Sequence, residues 1–384
     1  MNQIFLDNNS TTPIYPEVTE AMTQVLGSVY GNPSSAHGMG KTAKICVDEA
    51  RLALKDFLGA SELSEILFTS GGTEADNLAI SLLKNNSNGK QHLITTRVEH
   101  EAIRKPAEKL QAEGFDVTWL GVDGSGNLDL TQLEESLSEQ TGLVSVMLAN
   151  NETGVIFPIE EIGRIVKRKS RALLHVDAVN AIGKIPLSLS DSSVDLLSLS
   201  AHKMGGPKGI GALYVRRGVS IEPMMLGGGQ EFSRRAGTEA VHQIVGFGVA
   251  ANISADLSPM ILVKGLRDRL ESALLSRFPE AQVNGQTGDS KRLPNTTNIC
   301  FPGLNGEVIL NLLDEQGIFV STGSACNSES KTVSPVLSAM GVPFGCAMGS
   351  IRFSLGRNNT ADEINAAIDA IIKVIEKAYS FIGK

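Results

Sequence analysis

Between about residues 60 and 250, short apolar runs alternate with longer stretches in which apolar residues recur every three to four positions. The runs are Ile66–Thr69, His92–Thr96, Val117–Leu120, Leu143–Leu148, Ala172–Val176, Leu196–Leu199 and Ala212–Val215, all rich in Leu, Ile or Val. Continuous apolar runs of this length predict strands buried on both faces. The stretches Glu74–Lys84, Glu101–Glu113, Leu130–Glu139 and Ile159–Lys169 predict helices between them. Strand–helix alternation of this kind implies an α/β domain around a mostly parallel sheet. Beyond a junction near Ser254–Pro259 the pattern changes. Met260–Phe278, Glu307–Gln316 and Ala361–Phe381 read as helices, and Thr297–Phe301 and Ile351–Ser354 as strands, which predicts a smaller α+β domain. No internal repeat or low-complexity linker interrupts the chain.

Composition narrows the possibilities. The chain has 384 residues, 42% hydrophobic and 20% charged, enough to bury a large core. A formal net charge of −8 and the lack of any Lys/Arg-rich run argue against a nucleic-acid partner. The N-terminus has no basic start followed by an apolar stretch, so no secretory signal is expected. No apolar run approaches the roughly 18 residues of a membrane helix. Cys46, Cys300, Cys326 and Cys346 form no CxxC pair, which argues against zinc, and they are too few for a disulfide framework. No metal is expected, and a reducing cytoplasm fits best.

Three segments carry candidate chemistry. In Thr69–Asn77, TSGGTEADN, a glycine-rich turn follows a strand and opens a helix, so backbone N–H groups at Gly72 and a hydroxyl at Thr73 could hold an anion. Thr73 could equally be a plain capping residue. The segment is neither GxGxxG nor GxxxxGK[ST], which makes a dinucleotide or nucleoside triphosphate a weak reading. In LHVDAVN at 174–180, Asp177 ends an apolar strand, where open α/β sheets bind ligands. A buried carboxylate there needs a partner; a protonated pyridine nitrogen would serve, and so would a helix N-terminus. In SLSAHKMGGPKGIG at 198–211, Lys203 follows another apolar strand, beside Ser200 and His202 and before a glycine-rich turn. A Schiff-base lysine needs such a desolvated or cationic setting, although a lone lysine is ordinarily a solvated surface charge.

In this order the three segments resemble the class V branch of the fold-type I pyridoxal-phosphate enzymes, and specifically the NifS/IscS-type cysteine desulfurases. The resemblance runs over almost the whole chain: LDNNSTTP at 6–13, YGNPSSAHGMG at 30–40, TSGGTEADN at 69–77, VEH at 98–100, ANNETGVIFPI at 149–159, HVDAVNAIGKIP at 175–186, LSAHKMGGPKGIGALYVRRG at 199–218, RRAGTEAVHQIVG at 234–246, STGSACNS at 321–328 and IRFSLGR at 351–357. It implies a large cofactor-binding domain at 16–258 with a seven-stranded, mostly parallel sheet, and a small domain made of 1–15 and 259–384.

The resemblance also implies roles. Lys203 would form the Schiff base with pyridoxal phosphate, and Asp177 would pair with the ring N–H. His100 would stack on the ring and move protons. Gly72, Thr73, Ser200 and His202 would bind the phosphate, and Thr238 would reach the phosphate of the neighbouring subunit's cofactor, which implies a homodimer with shared sites. Asn151 and Arg352 would hold the substrate, Arg352 by its planar fork. In isolation His100 reads as a packed core histidine and Arg352 as a surface ion pair. Cys326 lies in a small, polar, glycine-bearing stretch that reads as an exposed loop, the setting a nucleophilic cysteine needs. Cys46 and Cys300 read as small buried hydrophobes, and Cys346 lies near a second loop. The resemblance selects Cys326 as the residue that takes sulfur from L-cysteine as a persulfide, releases alanine, and passes the sulfur to an acceptor protein such as an iron–sulfur scaffold. A selenocysteine lyase or a class V aminotransferase is the alternative, and Cys326 discriminates against both.

Two departures stand out. Asn180 occupies a position where the family usually has Gln bonded to the cofactor's phenolic oxygen, and the missing methylene shortens its reach by roughly 1.5 Å. The chain also ends at Lys384, whereas housekeeping members carry a longer tail that engages the scaffold, so a specialised desulfurase serving another acceptor is a second expectation.

Overall fold

The computed structural model describes residues 3–85, 89–288, 291–322 and 333–381. In chain order the strands are β1 (Ile4–Phe5), β2 (Ile66–Thr69), β3 (His92–Thr96), β4 (Asp116–Leu120), β5 (Thr141–Met147), β6 (Leu173–Asp177), β7 (Leu196–Ser200), β8 (Gly211–Val215), β9 (Gln282–Val283), β10 (Thr296–Cys300), β11 (Ile318–Phe319) and β12 (Ser350–Ser354). The helices are α1 (Pro16–Ser28), α2 (Gly38–Leu58), α3 (Gly72–Asn85), α4 (Glu101–Ala112), α5 (Leu130–Ser136), α6 (Ile159–Lys169), the short α7 (Gln230–Ser233), α8 (Val241–Ser254), α9 (Pro259–Arg277), α10 (Gly306–Asp314), α11 (Pro335–Ala339), α12 (Phe344–Met348) and α13 (Ala361–Phe381).

All seven apolar runs form one sheet in the order β2-β8-β7-β6-β5-β3-β4. The pairs β3–β4, β3–β5, β5–β6 and β6–β7 are parallel, while β8 runs antiparallel to both neighbours. The expected mostly parallel sheet is therefore present. Six strands are buried almost throughout, as their sequences predict; β4 is not. There Asp116 is exposed and Val117 to Trp119 are only partly covered, although β2 at the opposite edge is buried. The predicted helix at 130–139 stops at Ser136, where Leu137 turns extended and Ser138 and Thr141 close a turn on each other. One side of the sheet is sealed by α2 and α8. These helices touch where Gly248 meets Ala50: a Cβ on Gly248 would come within 2.7 Å of the Ala50 backbone, so only glycine allows this spacing.

A second apolar core gathers Leu6, Leu270, Phe301, Phe353 and Ile371 around the antiparallel β9-β10-β12 sheet, with α9, α10 and α13 packed on it. The N-terminal β1 joins this region by pairing in parallel with β11. The N-terminal segment then crosses back, since Asn8 N–H donates to Ser354 and Thr12 N–H donates to the His202 carbonyl. That crossing carries residues 7–12 over the carboxyl ends of β5, β6 and β7, where the sheet opens its crevice.

Candidate active site

At that sheet edge a cavity of about 380 Å³ is lined by Asn9, Ser10, Gly72, Thr73, Asp76, His100, Met147, Ala149, Asn151, Asp177, Val179, Asn180, Ser200, His202, Lys203 and Arg352. Ten of the candidate residues from the sequence therefore converge: Gly72, Thr73, His100, Asn151, Asp177, Asn180, Ser200, His202, Lys203 and Arg352. All but Arg352, which sits in the middle of β12, come from the end of a strand of the large sheet or from the turn or helix start that follows one. Two candidates lie elsewhere. Thr238 is exposed and does not line this cavity of its own chain, and Cys326 lies outside the described residues.

The turn from β2 into α3 brings backbone close to the cavity. A Cβ on Gly72 would sit 2.7 Å from the Val179 side chain, so the residue type is fixed by the approach of the β6 turn. The start of α3 directs backbone N–H groups and Thr73 toward the cavity, the arrangement that binds phosphate. Ser200 and His202 border the same region. Burial and the neighbouring Lys203 depress His202 to a pKa of about 4, so its ring is neutral; its Nδ1 lies 3.1 Å from Thr11 Oγ1.

The floor is acidic. Asp177 Oδ1 accepts the Val179 amide at 2.9 Å, and burial pushes its pKa up while His100, that amide and Lys203 pull it down. Burial, then the charge of Asp177, pushes Asp76 well above the carboxylate range. Burial likewise raises Glu99 to about 8. His175 is held between Ser145 Oγ (2.8 Å) and Ser198 Oγ (2.9 Å) and is kept neutral by burial, with a pKa of about 3. A carboxylate so placed gains from a cationic N–H facing it across the cavity. His100 caps α4: its Nδ1 accepts the Ala102 amide at 3.2 Å, which assigns the proton to Nε2. Burial lowers its pKa below the ordinary imidazole value, which favours the neutral ring.

Lys203 ends the turn after β7, and its Nζ donates to the Asn9 carbonyl. Arg352 on β12 is not a surface ion pair. Its side chain is 4% exposed, Nη1 donates to Asn151 O (2.9 Å), and Nη2 bonds Asp7 Oδ1 (2.6 Å) and Ser10 Oγ (2.9 Å). Its buried Nε has no hydrogen-bond partner among the described residues. Sequence reasoning assigned no role to Asn9, Ser10, Asp76 or Lys184. Asn9 lies within the LDNNSTTP motif, but nothing local shows that this segment returns to the cavity.

Two cysteines also differ from expectation. Cys300 and Cys346 form a disulfide with Cα atoms 5.3 Å apart, rather than being a small hydrophobe and a loop thiol. Cys300 pairs with Ser350 across β10–β12, and Ser350 Oγ donates to Cys346 O, which lays α12 over the end of β10. Among the described residues, no cluster of His, Cys, Asp or Glu could hold a metal ion, and no single helix is long and apolar enough to cross a membrane.

An amine, a buried carboxylate, a histidine and the start of α3 thus meet around one cavity at the carboxyl end of an α/β sheet. The chain belongs to the aminotransferase class-V family, whose model matches residues 4–367. It is 50% identical over 379 residues to a protein of Trichormus azollae named "Cysteine desulfurase", covering 98% of this chain and 94% of that one. Among solved structures it is similar to a "NIFS-LIKE PROTEIN" (40% identity, TM-score 0.91, covering 98% of this chain and all of that one). It is also similar to "SspA in complex with cysteine" (34% identity, TM-score 0.81, covering 94% and 100%).

Proposed function

We propose that this chain is a cysteine desulfurase that converts L-cysteine to L-alanine and delivers sulfur, with pyridoxal phosphate as cofactor. The observation that carries the reading is the convergence of Lys203, Asp177, His100 and the Gly72–Thr73 helix start on one cavity. Pyridoxal phosphate supplies an aldehyde that captures amines and a ring that accepts electrons from a breaking bond. Its phosphate fits the start of α3 with Thr73, Ser200 and His202, where neutral donors and backbone N–H groups meet. Asp177 would hold the ring nitrogen protonated, which returns to a buried carboxylate the counter-charge it lacks. Lys203 would hold the cofactor through Nζ, and the same amine, once free, would take the substrate's α-proton. His100 covers the cavity and, through Nε2, exchanges a proton with the substrate's sulfur. Arg352 receives the substrate carboxylate with Asn151, and its Asp7 partner would have to yield to the incoming anion.

Cys326 is proposed as the thiolate that attacks the substrate sulfur. The S–S bond forms as the carbon–sulfur bond breaks, and the persulfide is passed to an acceptor protein. Thr238 is proposed to act across a homodimer, in a cytoplasmic enzyme. In the segment leading to it, Met224, Met225, Leu226 and Phe232 are exposed, as residues of a subunit contact would be in a single chain. The test is turnover of L-cysteine by the purified, cofactor-loaded protein. Equal alanine and sulfide are expected with a thiol present. Cys326→Ala should lose at least about a hundredfold of this activity, the loss typical of a removed nucleophile or proton-transfer group, while keeping its cofactor absorbance. Wild-type turnover by that variant would refute the sulfur-acceptor role.

A further inference from the structure

Lys184 is a buried lysine that the reaction outlined above does not use. It lies in the turn after β6 and is 7% exposed. Its Nζ reaches Asn180 O at 2.8 Å, Asn180 Oδ1 at 3.0 Å and Asn9 Oδ1 at 3.1 Å. An ammonium has three donors and no lone pair, so these three acceptors saturate the charged form, and no carboxylate is among them. The contact also settles which way Asn180 points: its Oδ1 faces Lys184, leaving Nδ2 directed toward Asn150 O at a loose 3.4 Å beside the cavity. Asn9 links the two amines. Its side-chain oxygen takes Lys184, its backbone carbonyl takes Lys203, and its Nδ2 is pinned to Thr296 Oγ1 (2.9 Å) and Asn151 O (3.1 Å).

We propose that Lys184 is a positioning residue for the cofactor amine: it turns the donor end of Asn180 toward the cavity and sets a buried positive charge beside Lys203, joined to it through Asn9. The coupling runs both ways. Burial first, then Lys203 and Arg352, press the Lys184 pKa well down. The same proximity disfavours a proton on Lys203, as a neighbouring cation does for Schiff-base lysines. Lys184 bonds Asn9 and Asn180, and the charges acting on it are those of Lys203 and Arg352, while Asp7 pairs with Arg352, and Arg357 and Glu363 line a cavity that Lys184 and Lys203 share.

The inference rests on Lys203 being the cofactor-bearing amine, and the test separates the two. Pyridoxal phosphate is bound to wild type, Lys184→Gln, Lys184→Arg and Asn9→Asp, and visible absorbance is titrated against pH, with melting temperature and cofactor content recorded alongside. Expected is an upward move of the titration midpoint by about one pH unit in Lys184→Gln, where a neighbouring cation is lost. Asn9→Asp, which sets a carboxylate against Lys184, should move it the same way, and Lys184→Arg should stay near wild type. If Lys184→Gln does not fold, Asn9→Asp carries the same expectation. Loaded variants that titrate like wild type would overturn the role of Lys184. A wild type whose cofactor is not trapped on Lys203 by borohydride would overturn the reading of Lys203 instead.

Discussion

Glu99 stands one residue before His100 with both of its roles visible in its two oxygens. Oε1 accepts the Thr96 hydroxyl at 2.7 Å and the Met147 amide at 3.0 Å, whereas buried Oε2 has no partner among the described residues. Burial, with the charge of Asp177 adding to it, lifts its pKa from 4.5 to about 8, so it is a neutral acid in the fold at pH 7. The folded state then binds more protons than the unfolded chain between those two values, and stability falls as pH rises through that window. Glu99→Gln keeps both accepted hydrogen bonds and cannot ionise. Its melting temperature should change less than wild type's between pH 5 and pH 8.5, with about a few kcal/mol at stake across that window. Equal pH slopes for the two proteins would show that Glu99 ionises normally. Asp177 and Lys203 are legible at the cavity because one ends and the other follows a readable apolar strand, whereas His100 is legible only through the family resemblance. The sequence could not place Glu99 or Lys184, whose significance lies in being buried beside distant residues.

Among the elements, the segment leading to Thr238 shows how a local oddity is held. Glu231, Phe232 and Ser233 have φ of 47°, 58° and 62°, in the left-handed region that side chains avoid. A buried strut fixes them. Arg51 on α2 grips Glu231 with Nη1–Oε2 at 2.8 Å and Nη2–Oε1 at 2.7 Å, and its guanidinium lies 4.6 Å from the Phe68 ring and 5.1 Å from the Phe232 ring. Glu231 Oε2 also accepts the Phe68 amide of β2 at 2.9 Å. Removing one partner of so buried a pair leaves an uncompensated charge. Arg51→Met should cost about 3–5 kcal/mol in urea unfolding, and Arg51→Met with Glu231→Gln should cost less than the sum of the single changes. Additive losses would mean that the pair is not coupled. At this scale legibility followed periodicity. Ile159–Lys169 and Ala361–Phe381 emerge with the bounds their patterns predict, while α8, apolar on nearly every side between α1 and α2, has no polar stripe to announce it.

At the scale of the whole molecule, the site is assembled from both ends of the chain. Residues 7–12 begin beside β12, cross the cavity, and meet the 202–205 turn through Thr12, while Arg352 arrives from the opposite terminus. Local patterning predicts the seven-stranded sheet, but this crossing depends on the pairing of β1 with β11, two strands of two residues each and too short to be seen in a sequence. The proposed exchange of Thr238 between subunits would complete the phosphate site. On the proposed function, the whole arrangement serves to move one sulfur atom from L-cysteine onto the chain itself. Mass spectrometry of the cofactor-loaded protein after L-cysteine treatment, without reductant, tests this most directly. Expected is one added sulfur on the peptide holding Cys326 and none on the peptide holding Cys346. Sulfur found elsewhere, or alanine formed with no sulfur on any cysteine, would contradict it.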